Sequence, residues 1–187
     1  HPATPGFANR TGRRVGPIFE TVTKNPPPPA AGDTLLVTAK IRQANSPINS
    51  VRLYYRRMYN VEVTAIMFDN GLNGDVTAGD GIWSAVIPGS LFVAGEMTRW
   101  RFVATDSAGT ETREPSYRNV LDSHQYYGTV THDPAINTLL PVLHWFTSNP
   151  NGAGTSSGSR GSVYYNGEFY DNIFFNIHGQ SSSGFPK

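Results

Sequence analysis

From Ile18 onward the chain alternates apolar and polar residues in short runs, and no stretch holds a 3.6-residue period for three turns. In "SVRLYYRR", Val51, Leu53 and Tyr55 fall on one face and Arg52, Tyr54 and Arg56 on the other, so the first set is predicted to face a core. The runs "IFETVT", "TLLVTAKI", "VEVTAIMF", "GIWSAVIP", "TRWRFVATD" and "TETREPSY" supply further strands separated by turn residues. That gives about seven strands at the spacing of a β-sandwich, so residues 18–119 are predicted to form an immunoglobulin- or fibronectin-like module. The four prolines of "KNPPPPAAGD" cannot donate to a sheet ladder and predict a stiff kink between the first two strands.

On either side the pattern changes. Residues 1–17 carry Pro2, Pro5, Gly6, Gly12, Gly16 and Pro17 without periodicity and read as a linker or the tail of a preceding module; Arg13 and Arg14 read as solvated. Residues 120–136 read as a connector to a second β unit, residues 137–187. This unit opens with "LLPVLHWF", broken by Pro141, and continues through "NPNGAGTSSGSRG", whose Gly, Ser and Asn content predicts a flexible loop. "SVYYNGEFYDNIFFNIHG" then predicts a hairpin with Asn166 and Gly167 in a type I′ turn, Ile173, Phe175 and Ile177 alternating with Phe174, Asn176 and His178. Such a hairpin leaves an unpaired edge and little apolar area. A start at His1 without a signal segment, and an end at Lys187 just after these strands, lead us to expect an excerpt of a longer chain in which following residues add the next strand.

Composition narrows the function classes. Fifteen basic and 14 acidic residues leave a formal charge of +1, too small a field for phosphate-backbone binding, so nucleic acid is not an expected partner. No cysteine is present, which removes disulfides, thiolate metal sites and cysteine nucleophiles. No run approaches the ~18 apolar residues of a membrane span. Serines are plentiful, yet no G-x-S-x-G elbow occurs.

Two loops carry candidate chemistry. "DNGLNGDVTAGD" places Asp69 at position 1, Asn73 at 5, Gly74 at 6, Asp75 at 7 and Asp80 at 12 of a pattern in which alternate oxygens converge on calcium. Position 3 is Gly71 and position 12 is aspartate in place of the usual glutamate. The same residues also serve as turn formers that accept left-handed backbone. In "HGQSSSGFPK", the backbone of Gly179, Gln180, Ser181, Ser182 and Ser183 offers an anion-binding nest, and Lys187 reaches toward phosphate oxygens; a plain connecting loop has the same composition. His144 and His178 lack a second histidine at metal-ligand spacing and read as core or edge residues. Trp83, Trp100 and Trp145 read as core rather than as a sugar-stacking platform.

"LPVLHWF" followed by "SVYYNGEFYDNIFFNIHGQSSSGFPK" resembles the opening of the spore-coat-protein-H (CotH) kinase domain: a strand, a strand pair around an "NG" or "DG" turn, then a "G-x-S-S/T-x-x-x-P-K-K" segment. The resemblance covers about residues 137–187 and implies an atypical kinase-like α+β domain, ATP and magnesium as cofactors of the complete domain, a nucleotide-phosphate role for the serine loop and Lys187, and a secreted or surface location. Asn176 and His178 stand where many members carry arginines, and the family's catalytic acidic residues lie downstream, so this chain by itself is expected to be inactive and has no catalytic residue to name. "DNGLNGDVTAGDGIW" followed by "FVATDSAG" resembles bacterial immunoglobulin-like surface modules, and "ATPGFAN" resembles the end of a lamin-tail-like module. These resemblances imply an exported bacterial multi-domain protein with a protein substrate or surface partner. The alternative is a non-catalytic adhesion or carbohydrate-binding β protein.

Overall fold

The structure is a computed structural model that describes residues 14–24, 26–116 and 125–177. Its strands are β1 (Ile18–Val22), β2 (Leu35–Arg42), β3 (Ile48–Arg57), β4 (Val63–Ile66), β5 (Ile82–Ile87), β6 (Met97–Asp106), β7 (Glu111–Glu114) and β8 (Tyr127–Val130). Then come β9 (Leu143–Thr147), a one-turn helix α1 (Pro150–Ala153), β10 (Ser159–Tyr165) and β11 (Glu168–Phe175). The chain is mainly β, and all named pairings are antiparallel.

Two sheets face each other, one in the order β1-β2-β5 and one in the order β4-β3-β6-β7, with β8 also on β6. The alternation read in the sequence decides what lies between them. Val51, Leu53 and Tyr55 of β3 and Trp100, Phe102 and Ala104 of β6 meet Val37, Ala39 and Ile41 of β2 and Ala85 and Ile87 of β5, all buried. Trp100 is fully buried and satisfies its indole N–H on the carbonyl of Thr23, 3.2 Å away. Truncating a residue such as Leu53 to alanine in a core of this kind costs about 2–5 kcal/mol.

Strand β6 is the hub. Its ten residues pair with β3 along one edge and with β7 and then β8 along the other. The stretch read as a connector therefore contains a strand of the sandwich. Beyond it, β11, β10 and β9 form a third sheet in that order. The hairpin turns through Asn166 (φ 50°) and Gly167 (φ 84°), the two positive-φ positions that a type I′ turn demands. The Gly/Ser/Asn loop before β10 is not featureless. Asn149 caps α1 by accepting the N–H of Gly152 at 2.9 Å, and Pro150 occupies the first helical position. No helix among the described residues is long and apolar enough to cross a membrane.

Candidate functional site

The acidic loop between β4 and β5 is held by its own backbone. Asp69 accepts the N–H groups of Gly79 (2.7 Å) and Gly81 (3.1 Å), Asp75 accepts that of Gly71 (2.6 Å), and Asp80 accepts that of Ile82 (2.8 Å). Left-handed φ at Gly71, Asn73, Gly74, Gly79 and Gly81 folds the loop back on itself, the turn-forming property read from composition. The result brings ligand oxygens of Asp69, Asp75 and Asp80 within 4.8 Å of one another, with Asp75 buried. An all-oxygen carboxylate set is the donor type a hard cation takes. Asn73, the fourth predicted ligand, occupies a left-handed corner (φ 57°). The second predicted site, Gly179, Gln180, Ser181, Ser182, Ser183 and Lys187, lies outside the described residues.

A third constellation, unmarked in the sequence, sits where the third sheet meets the outer face of β3 and β6. Arg99 and Asp171 form an ion pair at 3.2 Å, with side chains only 4% and 5% exposed. Asp171 also accepts from Ser162 Oγ (2.6 Å) and the Tyr126 N–H (2.9 Å), while Arg99 donates twice to the carbonyl of Met58 (2.7 and 3.2 Å) and lies over the rings of Tyr59 and Tyr126. Tyr59 Oη donates to the carbonyl of Phe146 at 2.8 Å. Around these polar groups, Met97, Val130 and Tyr164 form a small buried cluster packed by Met58, Tyr59, Phe146 and Phe169. Desolvation holds the Arg99 guanidinium below the ordinary arginine range, opposed by Asp171 and reinforced by the charge of Arg56.

A bulge makes this junction. Between the Gly161–Ile173 and Val163–Tyr170 pairs, β10 advances two residues and β11 three, with Asn172 in left-handed backbone (φ 59°). Phe169 and Asp171 point at the sandwich. Gly128 of β8 lies under the Phe169 ring so closely that a Cβ there would stand 2.6 Å from it.

Next to the junction, Glu62 accepts a two-pronged contact from Arg101 (2.7 and 2.7 Å) and the hydroxyl of Tyr126 (2.7 Å). Burial alone would raise the Glu62 carboxyl, but the hydrogen bonds and the arginine charges outweigh it and hold the group below the ordinary range. His144 is half-buried and stacked parallel to Phe146 (6.4 Å between centroids), with its pKa lowered by burial. Trp100 is core as expected, but Trp145 is 53% exposed, which corrects the core assignment made for it.

Trp145 belongs to the far face of the third sheet, where it pairs across strands with Val163, which pairs in turn with Tyr170. Leu143, Trp145, Tyr165 and Tyr170 are all exposed there. Leu143, Trp145, Phe174, Phe175 and Ile177 line an open, mainly apolar groove of about 690 Å³. The third sheet thus buries one face against the sandwich and leaves aliphatic and aromatic residues exposed on the other.

No family model and no curated protein sequence matches the chain.

Proposed function

We propose that this chain is part of an exported bacterial multi-domain protein in which residues 18–116 and β8 form an immunoglobulin- or fibronectin-like mount, and residues 137–187 begin a CotH-type, ATP-dependent protein kinase domain. The observation that carries this reading is the third sheet itself. One face is fixed to the sandwich through the buried Arg99–Asp171 pair, and the other is apolar, exposed and ready to be covered by further structure. The two facing antiparallel sheets, of three strands and of five with β8 included, support a sandwich assignment for the mount. The spacer is thereby a rigid holder: an interface built on a desolvated ion pair and aromatic stacking resists hinge motion better than a flexible linker. The chain alone transfers no phosphate, since metal-holding acidic residues would come from the rest of the domain.

Extending the chain along its own reading frame and incubating the product with Mg-ATP tests the reading. Labelled phosphate on a protein acceptor, lost when downstream acidic residues are neutralised, supports it. A further sandwich repeat in that frame rules the kinase out.

The exposed Trp145 and Tyr170, flanking the half-buried Val163 across the sheet, favour a second reading, a carbohydrate-binding or adhesive surface, because flat aromatic faces stack on sugar rings. Saturable binding of an oligosaccharide, lost in Trp145→Ala, would select it over the kinase mount. The three converging aspartates favour calcium as a cation of the mount.

A further inference from the structure

A pocket of about 250 Å³ opens at the junction between Arg56 and Arg99 on the sandwich side and Arg160, Asp171 and Asn172 on the side of the third sheet. Arg56 and Arg99 are direct cross-strand partners on the same face of their sheet, an arrangement of like charges that ordinarily destabilises a pair of strands. Asp171 answers Arg99 and is already shared with Ser162 and the Tyr126 N–H. Among the described residues Arg56 has no hydrogen-bonded carboxylate, and Glu62 acts on it through charge alone. Its guanidinium lies over the Tyr126 ring at 4.5 Å, and its Nε is buried without a hydrogen-bond partner among the described residues. Arg160 reaches the same pocket from β10 while donating to the carbonyl of Asn172 at 3.0 Å. Three guanidinium groups line the pocket with the single carboxylate of Asp171, and Glu62 acts on Arg56 from outside the lining.

We infer that this pocket binds a phosphate-class oxyanion, with Arg56 as its principal donor and Arg160 closing it from the third sheet. A tetrahedral anion in the pocket would accept from the terminal Nη groups of Arg56, relieve the Arg56–Arg99 repulsion and join the sandwich to the third sheet by a second charged bridge beside Arg99–Asp171. Guanidinium forks suit such oxyanions geometrically. The inference rests on the junction geometry alone and does not depend on the kinase reading.

Inorganic phosphate is the deciding probe, titrated into the whole chain at constant ionic strength and followed by calorimetry and by the thermal midpoint. Saturable binding is expected, with a rise of about 2–4 °C in the midpoint near saturation. At least tenfold weaker binding is expected in Arg56→Gln, and weakening also in Arg160→Gln, whose side chain is exposed and whose replacement spares the core. Phosphate stabilises many proteins by surface exclusion, so a midpoint rise that is unsaturable, or equal in wild type and both variants, overturns the inference. So does an absence of saturable heat in the wild type up to 20 mM, roughly the ceiling of a specific small-anion site. Phosphoserine and adenosine triphosphate, titrated in the same way, identify the carrier: the tighter of the two if either exceeds inorganic phosphate, and the free anion if neither does.

Discussion

Replacing Asp171 with alanine is the sharpest test of how the third sheet is held. The substitution removes the acceptor of three donors at once: Arg99 Nη1 at 3.2 Å, Ser162 Oγ at 2.6 Å and the Tyr126 N–H at 2.9 Å. Losing one partner of a buried ion pair costs about 3–5 kcal/mol, because the remaining charge stays desolvated without compensation. Here Arg99 keeps its two bonds to the Met58 carbonyl and its stacking on Tyr59, so the low end applies, about 3 kcal/mol. For a chain of this size that is a fall of about 6–12 °C in the thermal midpoint. Urea unfolding followed by tryptophan fluorescence gives the free energy, and amide exchange in β9, β10 and β11 shows whether the sheet opens separately from the sandwich. The companion variant carries Arg99→Met as well. Removing the stranded charge should recover part of the loss, so the double variant should be more stable than Asp171→Ala alone. A loss below about 1 kcal/mol, the range of an exposed pair, would refute the argument that the junction is desolvated. So would a double variant with no recovery.

Three further outcomes follow from the same geometry. Gly128→Ala should cost about 1–3 kcal/mol, because its Cβ would stand 2.6 Å from the Phe169 ring and push the third sheet off β8; an unchanged urea midpoint would show that the ring moves aside freely. Glu62 has a folded-state pKa below its ordinary 4.5, so its contribution is present above that value and is lost as pH falls through the folded-state pKa; Glu62→Gln should flatten the acid limb of a midpoint-against-pH curve, and an unaltered limb would remove Glu62 from the account. If calcium occupies the Asp69, Asp75 and Asp80 cluster, the wild-type midpoint should rise with calcium and return with chelator, whereas Asp75→Asn should not respond; identical melts in calcium and chelator would leave the loop as a turn held by its own amides.

Local patterning made the sandwich legible. The period-two alternation at Val51, Leu53 and Tyr55 names a buried face directly, and the Asn166–Gly167 pair announces its own turn because few other residues take positive φ twice in succession. Strand β8 escaped because four residues with a central glycine look like a connection, and the reason for Gly128, the ring of Phe169, lies 41 positions away. The junction escaped for the same reason at greater range. Arg99 and Asp171 are separated by 72 residues, and nothing near either marks it as one half of a pair. The one-turn helix α1 did carry a local signal, an asparagine followed by proline, which the surrounding Gly and Ser content masked. Trp145 was misplaced because strand alternation tells which residues share a face and is silent on which face is covered.

That last distinction bears on function as well as on fold. Along β10, Ser162 and Tyr164 look toward the sandwich, while Val163 looks the other way, so the two faces of one strand meet different fates. The face toward the sandwich is polar at its centre, and its arginines and Asp171 fix orientation through directional bonds. The opposite face has apolar and aromatic side chains without comparable polar direction. An oriented face suits a permanent junction, because a misdocked sheet would strand the Arg99 charge in a desolvated site. An apolar face suits burial against another apolar surface, whether of the same protein or of a partner. Trp145→Ser should therefore cost only about 1–3 kcal/mol, the transfer of the half of the indole that Phe175 and its neighbours cover, and a loss in urea above about 4 kcal/mol, the range of a fully buried aromatic, would mean that this face is already covered.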